Sequence, residues 1–348
     1  MKISASIMAH PRRLERAEEL AAKLPTLSPT VVVDPEPDGA PSALRAAAIA
    51  WDSAGDEGYH LVLQDDTTIC ADFESRLRAV STGGCDAVSM FADWGSVNGQ
   101  AVRIAAMQGR GIAPIFQRSI PPQALLMRAD AAQEFARCCA EAIERGETRD
   151  SKLLWEFCRS RGLAVGICVP NLVQHDVTHQ PSLWPGKVER GPIRSALFAD
   201  DFEHWSPDAS GADATVDLLP YVGWQAEARV TTQARPDEAT TETSALDWLT
   251  ARGWEGRDLV AEFERIWRTT WPVDPIITRP IMFQVFLAWA AVTVEFSAAA
   301  NTPRAALATV TPGALRNTID LQRAPELMDA AARFVEHVVS SELLRGRC

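Results

Sequence analysis

The residue types best suited to chemistry lie in the run Leu61 to Cys70, LVLQDDTTIC, where an apolar segment empties into two adjacent carboxylates, Asp65 and Asp66. A hard divalent cation takes oxygen ligands, and a strand end holds such ligands rigidly. A cation held there neutralises the charge of a nucleoside diphosphate. Adjacent aspartates also open turns without doing chemistry, so the dipeptide alone leaves both readings open. A second polar loop, Ala9-His10-Pro11-Arg12-Arg13, follows another short apolar run. Its arginines suit phosphate, or simply a solvated helix start.

Several other chemistries lack their signatures. The chain has no GxGxxG after a strand and no GxxxxGK[ST], so the phosphate cradles of a dinucleotide fold and a P-loop are missing. GxSxG is absent too. The seven cysteines form no CxxC pair and are odd in number, which fits neither a disulfide framework nor a zinc knuckle and points to reduced thiols in the cytoplasm. With 34 basic against 46 acidic residues the net charge is -12, which repels a polyphosphate backbone and argues against a nucleic-acid groove. The N-terminal MKISASIMAHPRR carries too short an apolar run for a signal peptide.

The elements that must position these residues alternate in type. Ile3 to Met8, Val31 to Val33, Tyr59 to Gln64, Asp86 to Phe91, Gln123 to Met127 and Ala164 to Val169 read as strands. Leu14 to Leu24, an Ala-rich segment between Ser42 and Gly55, Ala131 to Arg145 and Asp150 to Arg161 read as helices. Such alternation predicts an α/β layer architecture, with strand-end acids at a sheet edge where ligands bind. From Trp94 to about Arg118 the periodicity fades into Gly, Gln and Ser, which predicts a long loop able to close over ligands.

At 348 residues the chain exceeds one ordinary domain. Residues 206–243 hold two Ser/Ala/Asp/Thr/Glu-rich patches around the apolar island LLPYVGW and read as linker or surface excursion. Residues 244–348 show helix period throughout, which predicts an all-α C-terminal domain. Its Trp248, Trp254, Trp267, Trp271 and Trp289 read as core or interface anchors. The apolar stretch Ile281 to Ala300 contains Gln284, Thr293, Glu295 and Ser297, so it reads as a buried helix and no membrane span is expected. So much apolar helix also suggests a homodimer through the C-terminal helices.

Four segments, SIMAHPRRLERAEELAAKL, YHLVLQDDTTICADF, PPQALLMRADAAQEF and TRDSKLLWEFCRSRGLAVGICVPNLVQHDVTHQPS, come in the order in which the chain resembles nucleotide-sugar glycosyltransferases of the GT-A fold. The nearest likeness is to the bacterial lipooligosaccharide-type galactosyltransferases. It covers residues 3 to about 182 and implies a GT-A domain over 1–205, with a Rossmann-like mixed sheet. It further implies Asp66 as a ligand for Mn²⁺ or Mg²⁺, Asp65 near the ribose or metal, and His10, Pro11, Arg12 and Arg13 at the nucleotide. Asp150 is implied as the base that strips the acceptor hydroxyl, with Glu147 in reserve. An ordinary helix cap is the bland alternative for Asp150. His175 is implied as a late metal or diphosphate ligand, while His179 reads as a loop residue. Gln64 departs from the acid that relatives often carry and weakens the charge offered to a metal.

The expectation is therefore a metal-dependent, inverting transfer of a sugar from a nucleoside diphosphate donor, UDP favoured, to a hydroxyl acceptor in a bacterial glycan or natural-product pathway. Only four of the 34 basic residues are Lys, which fits a GC-rich bacterial genome. Two rivals stand beside this expectation: a nucleotidyltransferase, which lacks its Gly-rich first loop here, and a non-catalytic nucleotide-sugar binder or scaffold.

Overall fold

A computed structural model describes residues 2–39, 42–80, 84–175, 193–202, 218–222, 227–232, 241–271, 278–296, 303–315 and 325–346. They divide into two compact units. Residues up to 92, 110–175 and 198–202 make the first; 93–109, 193–197 and 218–346 make the second.

The chain begins with β1 (Ile3–Ala9), a 3-10 turn at Pro11–Arg13, α1 (Leu14–Ala22), β2 (Thr30–Val33), α2 (Ala43–Asp52) and β3 (Tyr59–Gln64). There follow β4 (Thr67–Ile69), α3 (Phe73–Val80), β5 (Ala87–Ser89), α4 (Val97–Met107), β6 (Ile112–Pro114) and β7 (Ala124–Arg128). Then come α5 (Ala129–Glu144), α6 (Asp150–Ser160), β8 (Val165–Cys168) and β9 (Val173–His175). Seven strands form one mixed sheet in the order β2-β1-β3-β7-β5-β8-β6. β1 lies parallel to β2 and β3, β5 lies parallel to β8, and β7 and β6 run against their neighbours. The fold is thus α/β with a central sheet in which most strands share one direction.

Strands covered on both faces need continuous apolar runs, and Leu61, Val62 and Leu63 of β3 are all buried. Below the sheet, Trp51 of α2 meets Phe135 of α5 edge-on at 6.0 Å, and Phe135 meets Phe157 of α6 at 5.1 Å. Each such ring, fully buried, contributes roughly 2 to 3 kcal/mol. His60 is the polar exception on β3. It is fully buried between Ser4 Oγ (2.8 Å) and the Ala50 carbonyl (2.9 Å), and burial pushes its pKa down to about 4.

The second unit holds an antiparallel sheet of β10 (Leu218–Val222), β11 (Ala228–Thr232) and β12 (Thr241–Ser244). Its later helices are α7 (Ala245–Ala251), α8 (Gly256–Thr270), α9 (Thr278–Phe296), α10 (Arg304–Ala308), α11 (Val310–Leu315), α12 (Pro325–Val339) and α13 (Glu342–Arg345). α9 is long and apolar enough to cross a membrane by length and composition, yet Val285 through Thr293 are all buried inside this unit. The five tryptophans named above are buried; Trp267 stacks on Trp271 at 4.9 Å, and Phe263 meets Phe283, Phe286 and Phe334.

Three sequence expectations are corrected. The segment expected to be a long loop is mostly α4 and β6, and α4 belongs to the second unit. Residues Asn98 through Ala106 are buried on every side of that helix, so no polar face marks its period. After Ser244 the described residues form helices and no strand, as expected. The island LLPYVGW supplies β10, buried at Leu218 through Tyr221, so the region expected to be a linker contributes to a sheet. The expected boundary near 205 also differs, because 93–109 and 193–197 group with the later residues.

Candidate functional site

The carboxyl ends of the parallel strands β2, β1 and β3 lie side by side, with the Asp34 N–H donating to the Ala9 carbonyl and the Asp65 N–H to Met8. Crevices at this edge of open α/β sheets bind ligands because loops there diverge. Here the edge collects Asp34, His10, Arg13, Asp65 and Asp66.

The turn after β1 aims Arg13. Pro11 fixes the backbone at the start of the 3-10 turn, and His10 Nδ1 accepts from the Arg12 N–H at 3.2 Å. Arg13 Nη1 then bridges both acids, 3.0 Å from Asp65 Oδ1 and 2.8 Å from Asp66 Oδ2. The other Asp65 oxygen accepts from the His10 backbone N–H at 2.8 Å. Arg13 is buried, whereas Arg12 is exposed.

His175 reaches the same group through a feature that the sequence hides. β4 and β9 pair antiparallel, with Thr67 opposite His175, so the residue before Thr67 meets the histidine. His175 Nε2 lies 3.5 Å from Asp66 Oδ2, and its ring tilts against Phe91 at 6.4 Å. The turn leading into β9 is held by Asn171, whose Oδ1 accepts from the Ala92 N–H and whose amide donates to the Cys168 carbonyl.

This arrangement separates the two acids electrostatically. Burial and the neighbouring charge of Asp66 push Asp65 above the ordinary carboxylate range, against the pull of the His10 N–H and Arg13. Burial also opposes ionisation of Asp66, but His175 and Arg13 outweigh it and hold Asp66 near 2. Arg13 is held above its usual value by the two carboxylates despite burial. Asp66 is thus the fixed negative charge of the group.

Three atoms of the cluster are buried without a hydrogen-bond partner: Asp66 Oδ1, Arg13 Nε and His175 Nδ1. Gln123 Oε1, on the residue whose carbonyl accepts from the Gln64 N–H beside Asp65, is a fourth. Unmet buried polar atoms cost about 1 to 3 kcal/mol each, so their concentration here marks a place completed by something else. Asp66 Oδ1 calls for a cation or a donor, and Arg13 Nε for an acceptor.

A divalent cation fits this group in part. Asp66 and the imidazole of His175 face one another at a separation that suits two ligands of one ion, and Asp66 keeps an oxygen free. Among the described residues no third His, Cys, Asp or Glu completes a metal-holding group, so remaining positions fall to ligand oxygens and water, the usual habit of Mg²⁺. Gln64, at the end of β3, brings no charge.

Asp150 stands apart. It is the first residue of α6, buried, with its carboxylate accepting from backbone N–H groups of its own helix start, and burial pushes its pKa up. Arg13, Asp65, Asp66 and His175 are not among the groups that act on it. Glu147 is exposed and pairs with Arg145 at 3.1 Å. His179 lies outside the described residues. The sequence reading passed over Asp34, which ends β2 at the same edge and takes a two-point ion pair from Arg45 Nε (2.9 Å) and Nη2 (3.0 Å). Its one signal in the sequence is an acid directly after the apolar run Val31 to Val33.

In comparisons with known proteins, no protein-family model matches this chain and no curated protein matches it.

Proposed function

We propose that the first unit is a GT-A-type glycosyltransferase that moves a sugar from a nucleoside diphosphate donor, UDP favoured, to a hydroxyl acceptor, with Mn²⁺ or Mg²⁺. The observation that carries this reading is the Arg13–Asp65–Asp66–His175 group at the strand ends, buried at Arg13 and Asp65 and half-buried at Asp66 and His175, with an acceptor on Asp66 and a donor on Arg13 unmet. A diphosphate with its cation satisfies both. The mixed sheet, with a reversed strand between β3 and β5, supports the same reading.

In this reading Asp65 positions the His10 loop and Arg13, while Asp66 and His175 hold the cation. The metal, when bound, offsets the charge of the departing diphosphate. Arg13 Nε offers that diphosphate a fixed donor in a dry site. The base role for Asp150 rests on the sequence resemblance and on its raised proton affinity, since it stands apart from the other four residues. A second reading, a nucleotide-sugar binder without turnover, draws on Gln64 and on the guanidinium that already spans both aspartates.

The test is a thermal-shift screen of UDP-, GDP- and TDP-sugars with and without Mn²⁺, followed by assay of nucleoside diphosphate release. A metal-dependent rise in melting temperature with one donor family, together with release, supports the transferase. A rise without release selects the binder, and no rise with any donor rejects both.

A further inference from the structure

The second unit contains a buried cation with no carboxylate among its acceptors. Arg103, on α4, is 2% exposed. Its Nε donates to Thr309 Oγ1 (3.1 Å), its Nη2 to the carbonyls of Trp94 (2.7 Å) and Thr309 (3.0 Å), and its Nη1 only to Gln100 Oε1 at a long 3.4 Å. A guanidinium has five N–H groups, so one Nη1 hydrogen is left over. Asp93 is the charged side chain that acts on Arg103, and it is not among these acceptors. A second cation, Arg194, lies over the Trp94 ring at 5.8 Å. Burial lowers the Arg103 pKa to about 9, against the pull of Asp93, so it remains charged at neutral pH.

Beside it two more donors are stranded. Gln100 Nε2 and Trp94 Nε1 are buried and have no partner; with its oxygen turned to Arg103, the Gln100 amide presents only N–H groups elsewhere. All three residues line one cavity of about 30 Å³; Ser96 and Tyr221 line it too, and the rest of its wall, Val222, Ala288 and Trp289 among it, is largely apolar. Donors without acceptors call for a ligand that accepts. None of the acceptors that Arg103 reaches is charged, and Asp93 acts on it without being one of them, so a negative ligand suits the place. The volume admits one monatomic ion or about two waters, and not a sulfate with its shell. The apolar wall favours a weakly hydrated ion.

We propose that this cavity binds one monovalent anion of the chloride class, held by Arg103, the Gln100 amide and the Trp94 indole N–H. The ion would complete the junction of α4 with the residues around Thr309. This inference does not depend on the glycosyltransferase reading.

The experiment uses the full chain in sodium gluconate, titrated with sodium chloride at constant ionic strength. The readouts are ³⁵Cl NMR line width and melting temperature. Saturable line broadening that bromide competes away, with a melting temperature rising over the same range, supports the site. Gln100→Leu and Trp94→Phe should each weaken that binding at least tenfold. Absence of saturable broadening in the wild type, or undiminished broadening in both variants, overturns the proposal. Should the variants not fold, wild-type crystals grown in bromide decide: an anomalous peak at the Trp94 and Gln100 nitrogens supports it, and water there overturns it.

Discussion

His175 Nε2 lies 3.5 Å from Asp66 Oδ2, and it does so because β4 and β9 pair with Thr67 opposite His175. Two residues more than a hundred positions apart are thereby fixed by a ladder of three residue pairs. The acid of that couple is also held near pKa 2, so it is charged at neutral pH.

Replacing Asp66 by Asn keeps the shape and removes that charge. Donor binding is expected to lose its metal dependence and turnover to fall by about 10² or more. Calorimetric donor titration with and without Mn²⁺, alongside steady-state rates, checks this; unchanged metal response would remove Asp66 from the proposed site.

Arg13→Ala leaves two adjacent carboxylates, one buried and one half-buried, without their cation. Stability at pH 7 is expected to drop by about 3 kcal/mol, as when one partner of a buried pair is deleted. Asp66 has a depressed pKa in the folded protein, so the stability that Arg13 confers is present above pH 4 and fades as pH falls toward 2. Urea unfolding of both proteins at pH 7 and pH 3 measures it: the gap should narrow at pH 3.

Asp150→Asn separates a base from a helix cap. A base predicts a fall in kcat of roughly 10² or more with donor Kd unchanged. A fall in stability of about 1 kcal/mol with full activity would make Asp150 a cap.

His60 titrates near 4 in the folded protein against an ordinary value of 6.5. Below pH 6.5 the unfolded chain takes up a proton that the folded one refuses, so stability should decline from pH 6.5 to pH 4 by up to about 3 kcal/mol. His60→Gln should flatten that slope, whatever it costs at pH 7. An unaltered slope in chemical denaturation from pH 7 to 4.5 would count against it.

Gly313 sits on α11 where a Cβ would come within 2.3 Å of the Trp94 carbonyl oxygen. Gly313→Ala is therefore expected to destabilise by about 2 kcal/mol. Gly256→Ala, at the open start of α8 with nothing within 4 Å, should be neutral or stabilising by under about 1 kcal/mol. Thermal melts of the pair compare crowding with simple loss of chain freedom.

Legibility in the sequence followed the physics of each element. β1, β3, α5 and α6 showed themselves because one face or one run is apolar and the flanks are not. α4 did not, since a helix buried all round has no polar face to reveal its period, and Gly99 within it reads as a breaker. That glycine is there because a Cβ would lie 2.3 Å from the Asp93 carbonyl oxygen. β4 and β9 have three residues each, too few for alternation to register. Asp65, Asp66 and His175 could be named individually, but their convergence, and the capture of both acids by Arg13, depends on pairing across the chain.

The path of the chain through α4 has a consequence for biosynthesis. Its residues leave the ribosome about 110 positions before β10, their partner in the second unit. Through that interval a helix of almost wholly buried composition has nowhere to dock, while β5 before it and β6 after it belong to the sheet of the first unit. Neither unit can be cut out, swapped or fused elsewhere by a single junction. A graft of the later unit onto another protein would have to carry residues 93–109 and 193–197 as further, separate insertions.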